Sequence, residues 1–65
     1  MENKVEYLTE REVSKITKLA LPTLRNYRCM GQGPAYLKAG RAVRYCLKDV
    51  INFMERNRIE PKGLK

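Results

Sequence analysis

Pro22 restricts this chain more than any other residue. It lies in Leu21-Pro22-Thr23-Leu24-Arg25-Asn26-Tyr27-Arg28, a stretch that otherwise reads as helical. A helix accepts proline only in its first turn, where the missing N–H has no intrahelical partner to lose. A helix therefore opens near Pro22, and whatever helix precedes it ends a few residues earlier. Its start is marked by Thr9-Glu10-Arg11-Glu12, which has the form of a capping box: the Thr9 hydroxyl accepts from the Glu12 backbone N–H, and the Glu12 carboxylate accepts from that of Thr9. Leu8 before the cap and Val13 four positions after it have hydrophobic-staple spacing, and Ile16 continues the apolar stripe. The first helix is predicted over Glu10 to Thr17. Only Thr17-Lys18-Leu19-Ala20 is left as a connection, the tight turn expected between two short helices packed at a steep angle, with Leu19 plugging that angle. Leu24 and Tyr27 then share the buried side of the second helix, and Thr23, Arg25, Asn26 and Arg28 point outward.

Gly31, Gly33 and Pro34 stop the second helix. Ala35 to Lys38, Ala39-Gly40-Arg41 and Ala42 to Tyr45 read as a short hairpin with Gly40 in the turn. By period-2 alternation Val43 and Tyr45 share one face and Arg44 takes the other, while the phase of the first strand around Tyr36 and Leu37 stays open. Leu47, Val50, Ile51, Phe53 and Met54 have helical spacing, and Asp49 suits the positive end of a helix dipole. A third helix is predicted from about Leu47 to near Asn57, with Phe53 and Met54 in the core. At staple and strand positions Tyr7, Tyr36 and Tyr45 are expected to fill the core with their hydroxyls outward. This gives one domain over residues 5–59, with residues 1–4 and 60–65 as flexible tails. A chain of 65 residues buries only about 60 % of its unfolded surface, so its core is small.

The net charge is +7, which favours a polyanionic partner. No acid stands between Glu12 and Asp49, whereas Lys15, Lys18, Arg25, Arg28, Lys38, Arg41, Arg44 and Lys48 all do. Like charges so concentrated in a compact domain point to a ligand face. The chain has no histidine, and so lacks the commonest general acid/base and the usual activator of serine or cysteine nucleophiles. Neither GxxxxGK[ST] nor GxGxxG occurs, and Gly31-Gln32-Gly33-Pro34 is a poor phosphate cradle. An enzyme is not expected. Cys29 and Cys46 lack zinc-ligand spacing and are expected to be reduced thiols, so no metal and no cofactor is implied. Met1 to Glu6 is charged and no apolar run follows, which argues for a cytoplasmic protein without a membrane segment.

The order of helix, tight turn, helix, two-stranded wing and helix is carried by Tyr7-Leu8-Thr9-x-x-Glu12, Thr23-Leu24-Arg25, Gly33-Pro34-x-Tyr36, and Val43-Arg44-Tyr45 with Asp49-Val50. In this it resembles the excisionase and AlpA-type regulator family, a small relative of the MerR DNA-binding domain, over roughly Tyr7 to Asn57. The resemblance implies a mainly α fold with a small β-hairpin, a winged helix-turn-helix of three helices and a two-stranded wing. Lys18 and Ala20 stand where the family usually has a turn glycine and a capping serine, and Tyr27 and Phe53 where it often has tryptophan. Loss of the cap weakens the start of the second helix by about 1 kcal/mol.

A recognition helix of eight residues is about 12 Å long and fits a major groove about 12 Å wide. Thr23, Arg25, Asn26 and Arg28 are the expected groove residues, arginine being suited to guanine and asparagine to adenine; a phosphate contact is the alternative role for Arg25 and Arg28. The resemblance places Arg41 at the wing tip near the minor groove or a flanking phosphate, with Arg44 and Lys38 along the adjacent backbone. Lys15 and Lys18 flank the turn within reach of phosphate. The expected function is specific binding of double-stranded DNA, either as a recombination directionality factor or as a small transcriptional regulator of a phage or mobile element. The expected partners are a tyrosine recombinase or RNA polymerase, with cooperative self-association on DNA. Two other classes stay open: RNA or single-stranded nucleic-acid binding, which needs exposed aromatic platforms such as Tyr36 beside Tyr45, and a protein adaptor using Ile51 and Met54 of the last helix.

Overall fold

The computed structural model describes residues 5–61. The capping box forms as its spacing demands: the Thr9 N–H donates to Glu12 Oε1 at 2.8 Å and the Glu12 N–H to Thr9 Oγ1 at 3.2 Å. Helix α1 runs over Glu10–Thr17. Leu8 and Val13, the staple pair, are both buried in one cluster. Ile16 does not continue the buried stripe; it is 49 % exposed, and Thr17 is buried instead. The i+4 position faces inward here because Thr17 satisfies its own hydroxyl, which donates to the Val13 carbonyl at 2.8 Å and accepts from the Leu19 N–H at 3.2 Å.

The turn to the next helix is closed by Lys18, which adopts a left-handed backbone with φ 64° and donates its N–H to the Ser14 carbonyl. The Ser14 hydroxyl donates to the Leu19 carbonyl at 2.6 Å. Helix α2, Leu21–Met30, starts with Pro22 in its first turn and has no side-chain cap at Ala20. It extends two residues past Arg28 because Gly31, at φ 67°, takes the left-handed conformation that ends it. The N–H groups of Gly31 and Gln32 donate to the Arg28 and Tyr27 carbonyls at 3.2 and 2.9 Å, a Schellman closure. A side chain at Gly33 would meet Tyr27 Cβ at 3.0 Å, so the chain turns close against the helix it has just left.

The hairpin comprises two strands, Tyr36–Ala39 and Ala42–Cys46, joined by a two-residue turn at Gly40-Arg41 with φ +64° at Gly40. A further strand, Tyr7–Leu8, pairs antiparallel with the second hairpin strand, Tyr7 opposite Cys46 and Leu8 opposite Tyr45. Numbered in chain order, these are β1 (Tyr7–Leu8), β2 (Tyr36–Ala39) and β3 (Ala42–Cys46), and the sheet order is β1-β3-β2. The wing is therefore part of a three-stranded sheet with β3 in the middle. A two-residue strand carries no alternation to read, and Tyr7-Leu8 was legible only as the approach to the helix cap.

Helix α3 spans Leu47–Arg56. Leu8, Val13, Leu24, Tyr45 and Val50 form the core, with Leu19, Val43 and Leu47 packed against it. Phe53 is buried, with its ring centroid 6.0 Å from that of Tyr27. Met54 departs from expectation at 42 % exposure, and Tyr7 and Tyr36 are exposed as well; of the three tyrosines expected in the core, Tyr45 alone is buried. Of the expected tails, 1–4 and 60–65, residues 1–4 and 62–65 lie outside the described residues, and 59–61 are exposed without regular structure.

Candidate nucleic-acid interface

One cleft of about 430 Å³ opens between the start of α1, the side of α2 and the β2–β3 wing, lined by Thr9, Glu10, Arg11, Arg28, Arg41, Ala42, Val43 and Arg44. Three of the expected residues, Arg28, Arg41 and Arg44, are brought together here by elements far apart in sequence. Arg41 is exposed in the hairpin turn. Arg44 is exposed on β3, where its Nη1 donates to the Val43 carbonyl at 2.8 Å. Arg11, in the first turn of α1, completes the lining. It was not singled out from the sequence, because an arginine in a capping-box turn has the appearance of a solvated helix residue.

The hairpin register settles the phase that alternation left open. Tyr36 lies opposite Tyr45 and Lys38 opposite Val43, while Leu37 faces Arg44. Directly opposed residues of an antiparallel pair project to the same side, so Lys38 shares the side of Val43 and Tyr45. Lys38 and Arg44, both expected along the DNA backbone, therefore project from opposite faces of the wing.

On α2, Asn26 is exposed and Thr23 half-buried. Arg25 and Arg28 are not freely outward as the helical pattern implied. The Arg25 Nη2 and Nε donate to Glu10 Oε2 and Oε1 at 2.7 and 3.3 Å, and Arg28 Nη1 donates to Glu10 Oε1 at 3.4 Å. Arg28 also donates to the Tyr45 hydroxyl at 3.1 Å, and its guanidinium lies over the Tyr36 ring, 5.8 Å from the centroid. Glu10 stands 15 and 18 positions from the two arginines, a separation that no local pattern announces. The hydrogen bond from Arg25, aided by Arg28, holds the Glu10 carboxyl below its usual range against the opposing effect of burial. The same bond holds Arg25 above its usual range.

Lys15 and Lys18 are exposed beside the turn, outside the cleft. Tyr36 and Tyr45 stand side by side at 6.2 Å between centroids with a 49° tilt, but Tyr45 is 1 % exposed. The pair offers one accessible ring, not a stacking platform. Cys29 is exposed and Cys46 half-buried, both free thiols. Among the described residues no group of His, Cys, Asp and Glu is placed to hold a metal ion, and no helix is long and apolar enough to cross a membrane.

The order of elements, two short helices joined by a closed turn with a wing and a third helix behind them, is supported from outside the structure. No curated protein and no solved structure matches the chain. Residues 7–58, from the first strand to just beyond the last helix, do match the family described as the helix-turn-helix domain, and the chain belongs to that family.

Proposed function

We propose that the protein binds specific sites on double-stranded DNA, with α2 in the major groove and the β2–β3 wing against the flanking backbone, as a directionality factor for recombination or a small transcriptional regulator of a mobile element. The observation that carries this reading is the cleft in which Arg11, Arg28, Arg41 and Arg44 converge beside α2. A ten-residue α2 is about 15 Å long and fits across a groove about 12 Å wide. Phosphate contacts by the cleft arginines fix position, and Thr23, Asn26 and Arg25 stand where base edges are read. A domain presenting one helix and one wing binds weakly alone, so cooperative binding to repeated sites or help from a recombinase or RNA polymerase belongs to the proposal. The protein has no catalytic step in this reading.

The test is binding to a random-sequence duplex and to single-stranded DNA at two salt concentrations, with Arg25→Ala and Arg41→Ala alongside. Preference for duplex, a steep loss of affinity with salt and weaker binding by both variants are expected; log Kobs falls with log salt by about 0.9 for each phosphate neutralised. Indifference to duplex DNA at low salt defeats the proposal. It would favour a second reading, a protein adaptor, which draws on Ile51 and Met54 exposed on α3 at 50 % and 42 %.

A further inference from the structure

Along the sequence no acid interrupts the basic run from Val13 to Lys48, yet the fold brings one onto it. Glu10 lines the cleft and accepts from three N–H groups of α2, two from Arg25 and one from Arg28. The edge of Arg25 that it occupies, Nε with Nη2, is one that grips two oxygens of a phosphate side-on. Glu10 and phosphate are thus rivals for one set of donors. The two arginines are not held alike. Arg28 has the Tyr45 hydroxyl as a second partner at 3.1 Å and the Tyr36 ring beneath it. Arg25 has no further side-chain partner among the described residues, and its side chain is 52 % exposed. It is the arm free to swing once Glu10 lets go.

We propose that Glu10 is an intramolecular competitor for DNA phosphate, holding Arg25 and Arg28 in an internal ion pair that a duplex must displace and thereby restraining sequence-independent binding. The proposal rests on the duplex-binding reading above. A surface ion pair is weak, so the restraint is modest: it lowers affinity without abolishing it, and a site that gives Arg25 a base edge overcomes it more readily than random phosphate does.

The experiment measures binding of a random-sequence duplex by the wild type, Glu10→Gln, Glu55→Gln and Arg41→Ala over a range of salt. Glu10→Gln is expected to bind about three- to fivefold more tightly than the wild type, with a similar salt slope, because the same phosphates are neutralised once Glu10 is displaced. Glu55→Gln makes the same change in net charge but breaks a pair with Arg58 at the end of α3, 2.7 Å long, and its affinity should stay close to that of the wild type. Unchanged or weaker binding by Glu10→Gln overturns the proposal, as does an equal rise in Glu55→Gln, which would assign the effect to overall charge. Wild-type binding that Arg41→Ala weakens, without a rise in Glu10→Gln, defeats this proposal alone; a wild type that ignores duplex defeats the function reading as well. Should Glu10→Gln fail to fold, NMR of the Arg25 side chain in the wild type decides the matter: loss of the contacts between the Arg25 guanidinium and the Glu10 side chain on adding duplex supports displacement, and contacts that persist in the complex overturn it.

Discussion

Lys18 is the described residue other than glycine with positive φ, at 64°. A side chain in the left-handed region costs roughly 1–2 kcal/mol relative to glycine. Beside it Ala20, extended at φ −67° and ψ 151°, occupies the cap position of α2 with no side chain able to accept a hydrogen bond. Both residues close a turn whose geometry Ser14 and Thr17 already support through the backbone of Leu19. Lys18→Gly is expected to stabilise the fold by about 1 kcal/mol through relief of that conformation, and Ala20→Ser by about 1 kcal/mol through a cap on α2. Urea unfolding measures both. If Lys18 also reaches phosphate, Lys18→Gly gains stability while losing duplex affinity, and Ala20→Ser gains stability alone.

Among the elements, β3 joins the two halves of the interface. It is the middle strand, paired with β1 on one side and β2 on the other, and its Tyr45 is buried while its hydroxyl receives Arg28 of α2. The wing is thereby tied to α2 by a side chain as well as by the core. Helix α1 adds the third tie, through Glu10. Because the Glu10 carboxyl is held below its usual range, chiefly by the hydrogen bond from Arg25, it contributes stability that is present above the unfolded-chain value and lost as pH falls through the lowered one. The stability difference between wild type and Glu10→Gln should therefore be largest above about pH 5 and shrink below about pH 4. Thermal melts of both proteins across that range check this; a difference that does not vary with pH would remove the ion pair from the account of stability.

The molecule as a whole has little reserve. Its core cluster is five buried residues, Leu8, Val13, Leu24, Tyr45 and Val50, with partly buried neighbours around them. A domain of 65 residues has a net stability of roughly 3–10 kcal/mol on a per-residue basis. Leu24, 1 % exposed, anchors α2 against this core, and Leu24→Ala is expected to cost about 2–5 kcal/mol. That is enough to leave a substantial unfolded fraction at 37 °C, and circular dichroism should show the loss of helix together with any duplex binding. A variant that keeps its native spectrum and melting temperature would mean that α2 is held by its flanking turns more than by its buried face.

The sequence by itself determined where the helices lie, because the signals for them are local. A capping box at Thr9, a proline confined to a first turn and a glycine past Met30 each act within one turn of chain. The same holds for the hairpin, since Gly40 supplies the positive φ its two-residue turn requires. Tertiary structure decided what those signals could not reach. The strand Tyr7–Leu8 exists only because Leu8 and Tyr45 meet in the core, and Ile16 is turned out because Thr17 satisfies its hydroxyl facing in. It also decided which charges meet: Arg11, Arg28, Arg41 and Arg44 come from three separate elements and a turn to one cleft. The acid that balances two of the basic residues lies outside the basic run altogether, because ion pairing depends on distance in space and Glu10 is near Arg25 and Arg28 only once α1 packs on α2.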